Sequence, residues 1–116
     1  MDTSKVEKLL ETVNDRMEKG SKNHYQLLRL SNALYNLRDG YPIVAAFTDF
    51  QSGLSLEYYA VYNLLQVEDI KRDADWVVDY ERHMTLCAGY CELLPEIEKV
   101  IGKGLLGLPN YDTEVN

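Results

Sequence analysis

Val77, Tyr80, Met84, Cys87, Cys91 and Leu94 are spaced three, four, three, four and three residues apart. This is the heptad rhythm of a helix packed against other helices, because about 3.6 residues per turn returns every third or fourth side chain to one side. The spacing predicts a long helix, capped by Asp73 or Asp75, with this row turned into a core. On that reading Met84→Asp puts an unpaired charge in the core and unfolds the protein.

Other stretches carry the same period. Val6, Leu10, Val13 and Met17 share one face, after a capping box at Ser4-Lys5-Val6-Glu7 and before a stop at Lys19-Gly20. A second helix starts between Ser21 and Asn23, with Leu27, Leu30, Leu34 and Leu37 inward and Tyr25, Leu28 and Tyr35 widening that face. Gly40 suits its left-handed stop. Residues 41–53 read as a short helix after Pro42 that ends at Ser52-Gly53, although alternation over Ile43–Phe50 also allows a strand. Leu54, Tyr58, Val61 and Leu65 mark a further helix, and Val67–Asp73 a break. Pro95 kinks the seam helix or begins another through Ile97, Val100 and Ile101, which stops at Gly102-Lys103-Gly104.

The expected fold is therefore all-α, a compact bundle of four to six helices, mostly antiparallel. One domain spans 1–104, and a C-terminal tail, partly ordered at best, follows at 105–116. The chain has 116 residues and only three prolines and seven glycines, too few for the turn density of an all-β fold. The polar start Met1-Asp2-Thr3-Ser4-Lys5 lacks the apolar stretch of a signal peptide, and no run reaches the ~20 apolar residues of a membrane span. The expectation is a soluble, cytoplasmic protein without membrane contact.

The net charge is −7, a field that disfavours direct nucleic-acid binding. Residues 41–70 contain Asp49, Glu57, Glu68 and Asp69 but no lysine or arginine, and residues 71–116 carry nine acids against five bases. An acidic surface there would suit a partner with a basic one. Nine tyrosines is a high number for this length. Tyr41, Tyr58, Tyr59 and Tyr62 all fall in the segment without basic residues, and tyrosine supplies contact area at small entropic cost.

Four constellations touch on chemistry. His83, Cys87 and Cys91 recur at four-residue spacing and, with a fourth ligand such as His24, could hold zinc. A single cluster of this kind lacks the paired spacing of zinc motifs, and cysteines on an apolar seam read as small hydrophobes. Trp76, His83, Tyr90 and Ile97 repeat every seven residues beside the seam, as a broadened core face or the edge of a docking surface. Asp75/Asp79 and Glu92/Glu96 are spaced to share a helix face, as magnesium-binding acids do in all-helical nucleotide hydrolases, but they read as a solvated face. Gly102-Lys103-Gly104 has neither the spacing nor the strand of a phosphate loop. No cofactor or metal is expected, and with two histidines no catalytic triad takes shape.

The run Ile101-Gly102-Lys103-Gly104-Leu105-Leu106-Gly107-Leu108-Pro109 resembles the C-terminal ends of some helical-bundle bacteriocin immunity proteins. The resemblance covers under a tenth of the chain and implies a helical bundle and an immunity-like role, with no functional residue carried across.

The leading functional expectation is a small, acidic, non-enzymatic protein-binding module. It would be an inhibitor, anti-defence or regulatory factor of phage or mobile-element type, one version being a nucleic-acid mimic that fills a basic groove. Its partner-binding residues would be Tyr41, Tyr58, Tyr59, Tyr62, Glu57, Trp76, His83 and Tyr90. The alternatives are a structural subunit or homodimer burying the Trp76–Tyr90 edge, and a magnesium-dependent nucleotide hydrolase.

Overall fold

Two expected stops form as hydrogen-bonded helix ends. Gly40 adopts φ 94°, and the amides of Gly40 and Tyr41 return to the carbonyls of Leu37 and Asn36 at 3.1 and 3.0 Å. This double return ends a helix on a left-handed residue, which glycine adopts without a Cβ clash. The first helix closes in the same manner at Gly20.

The computed structural model describes residues 3–103, and these are all-α, as the periodicity predicts. The elements are α1 (Thr3–Glu18), α2 (His24–Arg38), α3 (Ile43–Ala46), α4 (Thr48–Leu65), a 3-10 turn η1 (Asp69–Lys71), α5 (Ala74–Cys91) and α6 (Leu94–Ile101). The expected tail at 105–116 lies outside the described residues, as does most of the run from Ile101 to Pro109. Helix α1 begins at Thr3, so Ser4 is already inside the helix rather than its cap. Among the described residues no helix is long and apolar enough to cross a membrane.

Helix α1 packs along α2 and α4 along α5, while α2 also reaches α3 and α4, and α6 returns to α1. Val6, Leu10 and Val13 meet Leu27, Leu30, Leu34 and Leu37 in one buried cluster with Phe47, Phe50, Leu54, Tyr90, Leu93, Ile97 and Ile101. Each such aliphatic side chain contributes about 1.5–3 kcal/mol by leaving water. Tyr25, Leu28 and Tyr35 do not widen the buried face of α2. They are exposed, and Gln26, Ser31 and Ala33 are buried instead: Gln26 meets α5 at Leu86 and Ser31 meets Asn14 of α1.

Residues 41–53 also depart from expectation. Pro42 precedes the short α3, Phe47 breaks it, and α4 then runs uninterrupted through Ser52 and Gly53. Gly53 is no stop. A Cβ there would lie 2.8 Å from Tyr90 Cζ and 2.9 Å from Arg29 Nη1, and would meet the Tyr90 hydroxyl. The missing side chain is what lets α5 approach α4 closely.

The largest correction concerns α5. Its heptad row reaches the core only at its C-terminal end: Val77 is 44% exposed and Met84 41%, Tyr80 is half-buried, and Cys87, Cys91 and Leu94 are half-buried against the core cluster. The fully inward positions are Gly89 and Tyr90, with Leu93 just beyond the helix. Core packing is confined to the C-terminal end of α5, and an 18-residue helix is about 27 Å long. Its N-terminal part therefore projects past the core, packed along α4 among the described residues, in a molecule whose longest dimension is 52 Å.

Candidate functional site

The projecting α4–α5 arm is where the structure places most of the residues singled out in the sequence. Phe50 meets Tyr90, Glu57 meets His83 and Leu64 meets Trp76, so partner numbers fall along α5 as they rise along α4. The two helices form a hairpin. At its tip the side chain of Asp73, the predicted cap, accepts from the Trp76 amide at 2.9 Å.

The last carbonyls of α4 lack the donors of a continuing helix; the Gln66 and Val67 amides return to Asn63 and Leu64 at 3.1 Å, and α5 with its preceding turn adds further donors. Trp76 Nε1 donates to the Leu64 carbonyl at 2.9 Å. Arg72 donates to the carbonyls of Val67 and Leu65 at 3.0 and 3.1 Å, and its guanidinium lies 4.8 Å over the Trp76 ring. Trp76 also stacks on Tyr80, with ring centroids 4.9 Å apart. Midway along the hairpin His83 Nδ1 and Glu57 Oε2 pair at 2.5 Å, both largely shielded from water. At the base Tyr90 packs edge-on to Phe50 at 5.3 Å.

This row of contacts consumes half of the expected partner-binding set. Tyr90 is 4% exposed and cannot meet another molecule. Trp76 Nε1, His83 Nδ1 and Glu57 Oε2 join the two helices, because the row at 76, 83 and 90 is the one that faces α4. Tyr59 and Tyr62 are exposed on the arm, Tyr58 is half-buried and edge-on to Tyr59, and Tyr41 is exposed away from the arm beside α3.

With the 76–83–90 row turned to α4, the heptad row lies roughly a quarter-turn around α5, at 100° per residue. On α4 the row Tyr58, Tyr62, Leu65 lies a comparable rotation from its own contact line. In helices running in opposite directions, the same sense of rotation leads to the same side of the pair. Tyr58, Tyr62 and Leu65 thus share one broad face with Val77, Tyr80, Met84 and Cys87. Helix α2 packs on the other side, where Gln26 donates to the Leu86 carbonyl at 3.1 Å and its amide sits against Gly89.

The face is uncharged. Gln51 and Ser55 continue it on α4, Ala88 and Cys91 continue it on α5, and Glu81 stands at its outer edge. Apart from Glu81 and the interhelical Glu57, the carboxylates of the arm gather at the tip and on the far side. There Glu68, Asp69 and Asp79 pair with Lys71, Arg72 and Arg82 at 3.7, 2.7 and 3.7 Å.

The constellations considered for chemistry resolve differently. Cys87 and Cys91 do come together, and their hydrogen bond, reinforced by burial, pushes the Cys87 thiol far above the ordinary thiol range. A group held so firmly protonated is a poor nucleophile. Among the described residues no three His, Cys, Asp or Glu side chains are placed to hold one ion. Glu92 and Glu96 do not share a helix face, since α5 ends at Cys91 and α6 begins at Leu94. An open groove between α1 and α2 is lined by Glu7, Glu11 and Asp15 with Lys8 and Arg38, side chains of mixed sign on an exposed flank.

Comparison of the chain with protein-family models, curated proteins and solved structures finds no match.

Proposed function

We propose that this protein is a small, non-enzymatic protein-interaction module, and that its working surface is the uncharged face of the α4–α5 hairpin. The observation that carries the reading is the outward heptad row of α5, with Val77 and Met84 exposed and Tyr80 and Cys87 half-buried. It has the periodicity of a helix–helix seam, yet from Val77 to Met84 it lies outside the core cluster of the described residues. Contiguous apolar surface of this kind marks interaction sites on soluble domains. Beside it stand the tyrosines of α4, a residue type enriched where binding energy concentrates.

The reading moves the binding surface away from the acidic field. Mimicry of nucleic acid draws on the net charge of −7, but three carboxylates near the arm's tip are already matched by their own neighbouring cations. The uncharged face needs no basic partner, and the complex it makes should depend only weakly on salt.

A photo-reactive residue tests this directly. Tyr62→p-benzoylphenylalanine should give a discrete protein adduct on irradiation, lost when Met84→Glu is added. The same probe at Lys8 on α1 should give none. Equal labelling from both positions, or no adduct from position 62, would refute the arm as the working surface.

A further inference from the structure

Resting on that reading, we infer that the occupant of the open hairpin face is a second copy of this chain, two α4–α5 hairpins pairing face to face as a four-helix unit.

Three observations select a second copy. The first is the register: Val77, Tyr80, Met84 and Cys87 repeat at three and four residues. Knobs at that spacing fit between those of a helix carrying the same repeat. The second is charge. A protein of net charge −7 repels its own copies, and the face between Ser55 and Leu65 on α4 and between Val77 and Cys91 on α5 is the part of the arm where carboxylates do not oppose one another. Glu57 lies between the helices, paired with His83, and Glu81 is at the margin.

The third is area. Tyr62, Leu65, Val77 and Met84 are 51, 45, 44 and 41% exposed. With the half-buried Tyr58, Tyr80, Cys87 and Cys91 and the rim residue Tyr59, they present about 600 Å² a copy, or about 1,200 Å² for a pair, the lower bound of a stable interface. Two antiparallel helices with one open face are half of a four-helix bundle, and a two-fold axis completes it with one surface. The symmetric interface expected in the sequence used the Trp76–Tyr90 edge. That edge is consumed inside the hairpin, and the neighbouring row, with Val77 and Met84 exposed, takes the role instead.

Sedimentation of the full chain from about 5 to about 200 μM should show the mass rising from 13.4 kDa toward its double, with a micromolar midpoint. The double variant Tyr62→Glu/Met84→Glu brings four carboxylates into the paired face. It should weaken association at least about 100-fold while leaving the helical circular dichroism unchanged, because both side chains are more than two-fifths exposed. A wild-type chain that stays at 13.4 kDa throughout would overturn the inference, and so would a double variant that dimerises as well as wild type. If the double variant unfolds, Tyr62→Ser replaces it, with the same two outcomes.

The photo-probe at position 62 separates this inference from the reading beneath it. A link to the same face of another copy supports both. A link to a foreign protein, with the wild type monomeric, overturns the second copy and leaves the interaction surface standing. A link within one chain to residues 104–116, where Leu105, Leu106 and Leu108 are apolar, overturns both, since the face would be covered from within.

Discussion

Gly53→Ala adds one methyl group at the closest approach of α4 and α5, and its effect can be worked out before it is measured. In an exposed helix interior, glycine to alanine stabilises by about 1 kcal/mol. Here the new Cβ would lie 2.8 Å from Tyr90 Cζ and would meet its hydroxyl. Tyr90 cannot retreat, because it is 4% exposed and held edge-on to the fully buried Phe50. Arg29 can move from the 2.9 Å contact, but only by giving up hydrogen bonds to the Asp49 carbonyl and carboxylate at 3.2 and 3.3 Å. Overpacking costs about 1–3 kcal/mol and a lost hydrogen bond about 0.5–1.5 kcal/mol. Against the propensity gain this leaves a net destabilisation of about 0.5–3.5 kcal/mol, or some 4–8 °C in Tm for each kcal/mol.

The assay is chemical denaturation followed by far-ultraviolet circular dichroism, at one fixed protein concentration so that self-association contributes equally to every variant. Ser52→Ala, on an exposed neighbouring position, is the propensity control and should be neutral or slightly stabilising. In a Tyr90→Phe background, where the hydroxyl is gone, Gly53→Ala should cost less than in wild type. A Gly53→Ala protein as stable as wild type, or effects of the two substitutions that simply add, would refute the close-approach account of this glycine.

Leu34→Ala empties a fully buried site on α2 and should lower unfolding free energy by about 2–5 kcal/mol; a loss below 1 kcal/mol in denaturant titration would contradict the assigned core. Asp73→Ala removes the bond to the Trp76 amide and should cost about 0.5–2 kcal/mol, with faster amide exchange at Trp76 and recovery in Asp73→Asn. Burial raises the Tyr90 phenol above its ordinary range, so above pH ~10 the unfolded chain releases a proton that the folded chain retains, and stability falls as pH rises. Tyr90→Phe should flatten that fall; an unchanged slope would show that Tyr90 ionises as an exposed phenol does. Cys87, held protonated by Cys91 and by burial, should react with Ellman's reagent far more slowly than a free thiol at pH 8, and an ordinary rate would contradict the paired-thiol geometry.

The helices themselves were legible locally. The row Leu27, Leu30, Leu34, Leu37 is buried as its spacing predicts, the second helix stops at Gly40, and Asp73 caps α5. Each of these depends on a residue and its neighbours within a turn or two, through periodicity, left-handed backbone or an orphan amide. The continuity of α4 through Gly53 was not legible, because glycine after serine is a stop signal locally, and only Tyr90 arriving from 37 positions along the chain gives it another purpose.

The candidate surface shows the same division. Helix α5 carries two apolar rows, Val77-Tyr80-Met84-Cys87-Cys91 and Trp76-His83-Tyr90. Periodicity determined that both exist and that the segment is helical, and it ranks the first as the stronger seam. Which row turns inward was decided by the partner helix. A vacancy at Gly53 admits Tyr90, the Glu57 carboxylate pairs with His83, and the Leu64 carbonyl at the end of α4 takes the indole of Trp76. These are long-range complementarities of shape and hydrogen bonding. A helical repeat reports only which side chains lie together on one helix, so tertiary packing alone could turn the stronger seam outward and leave it as a surface.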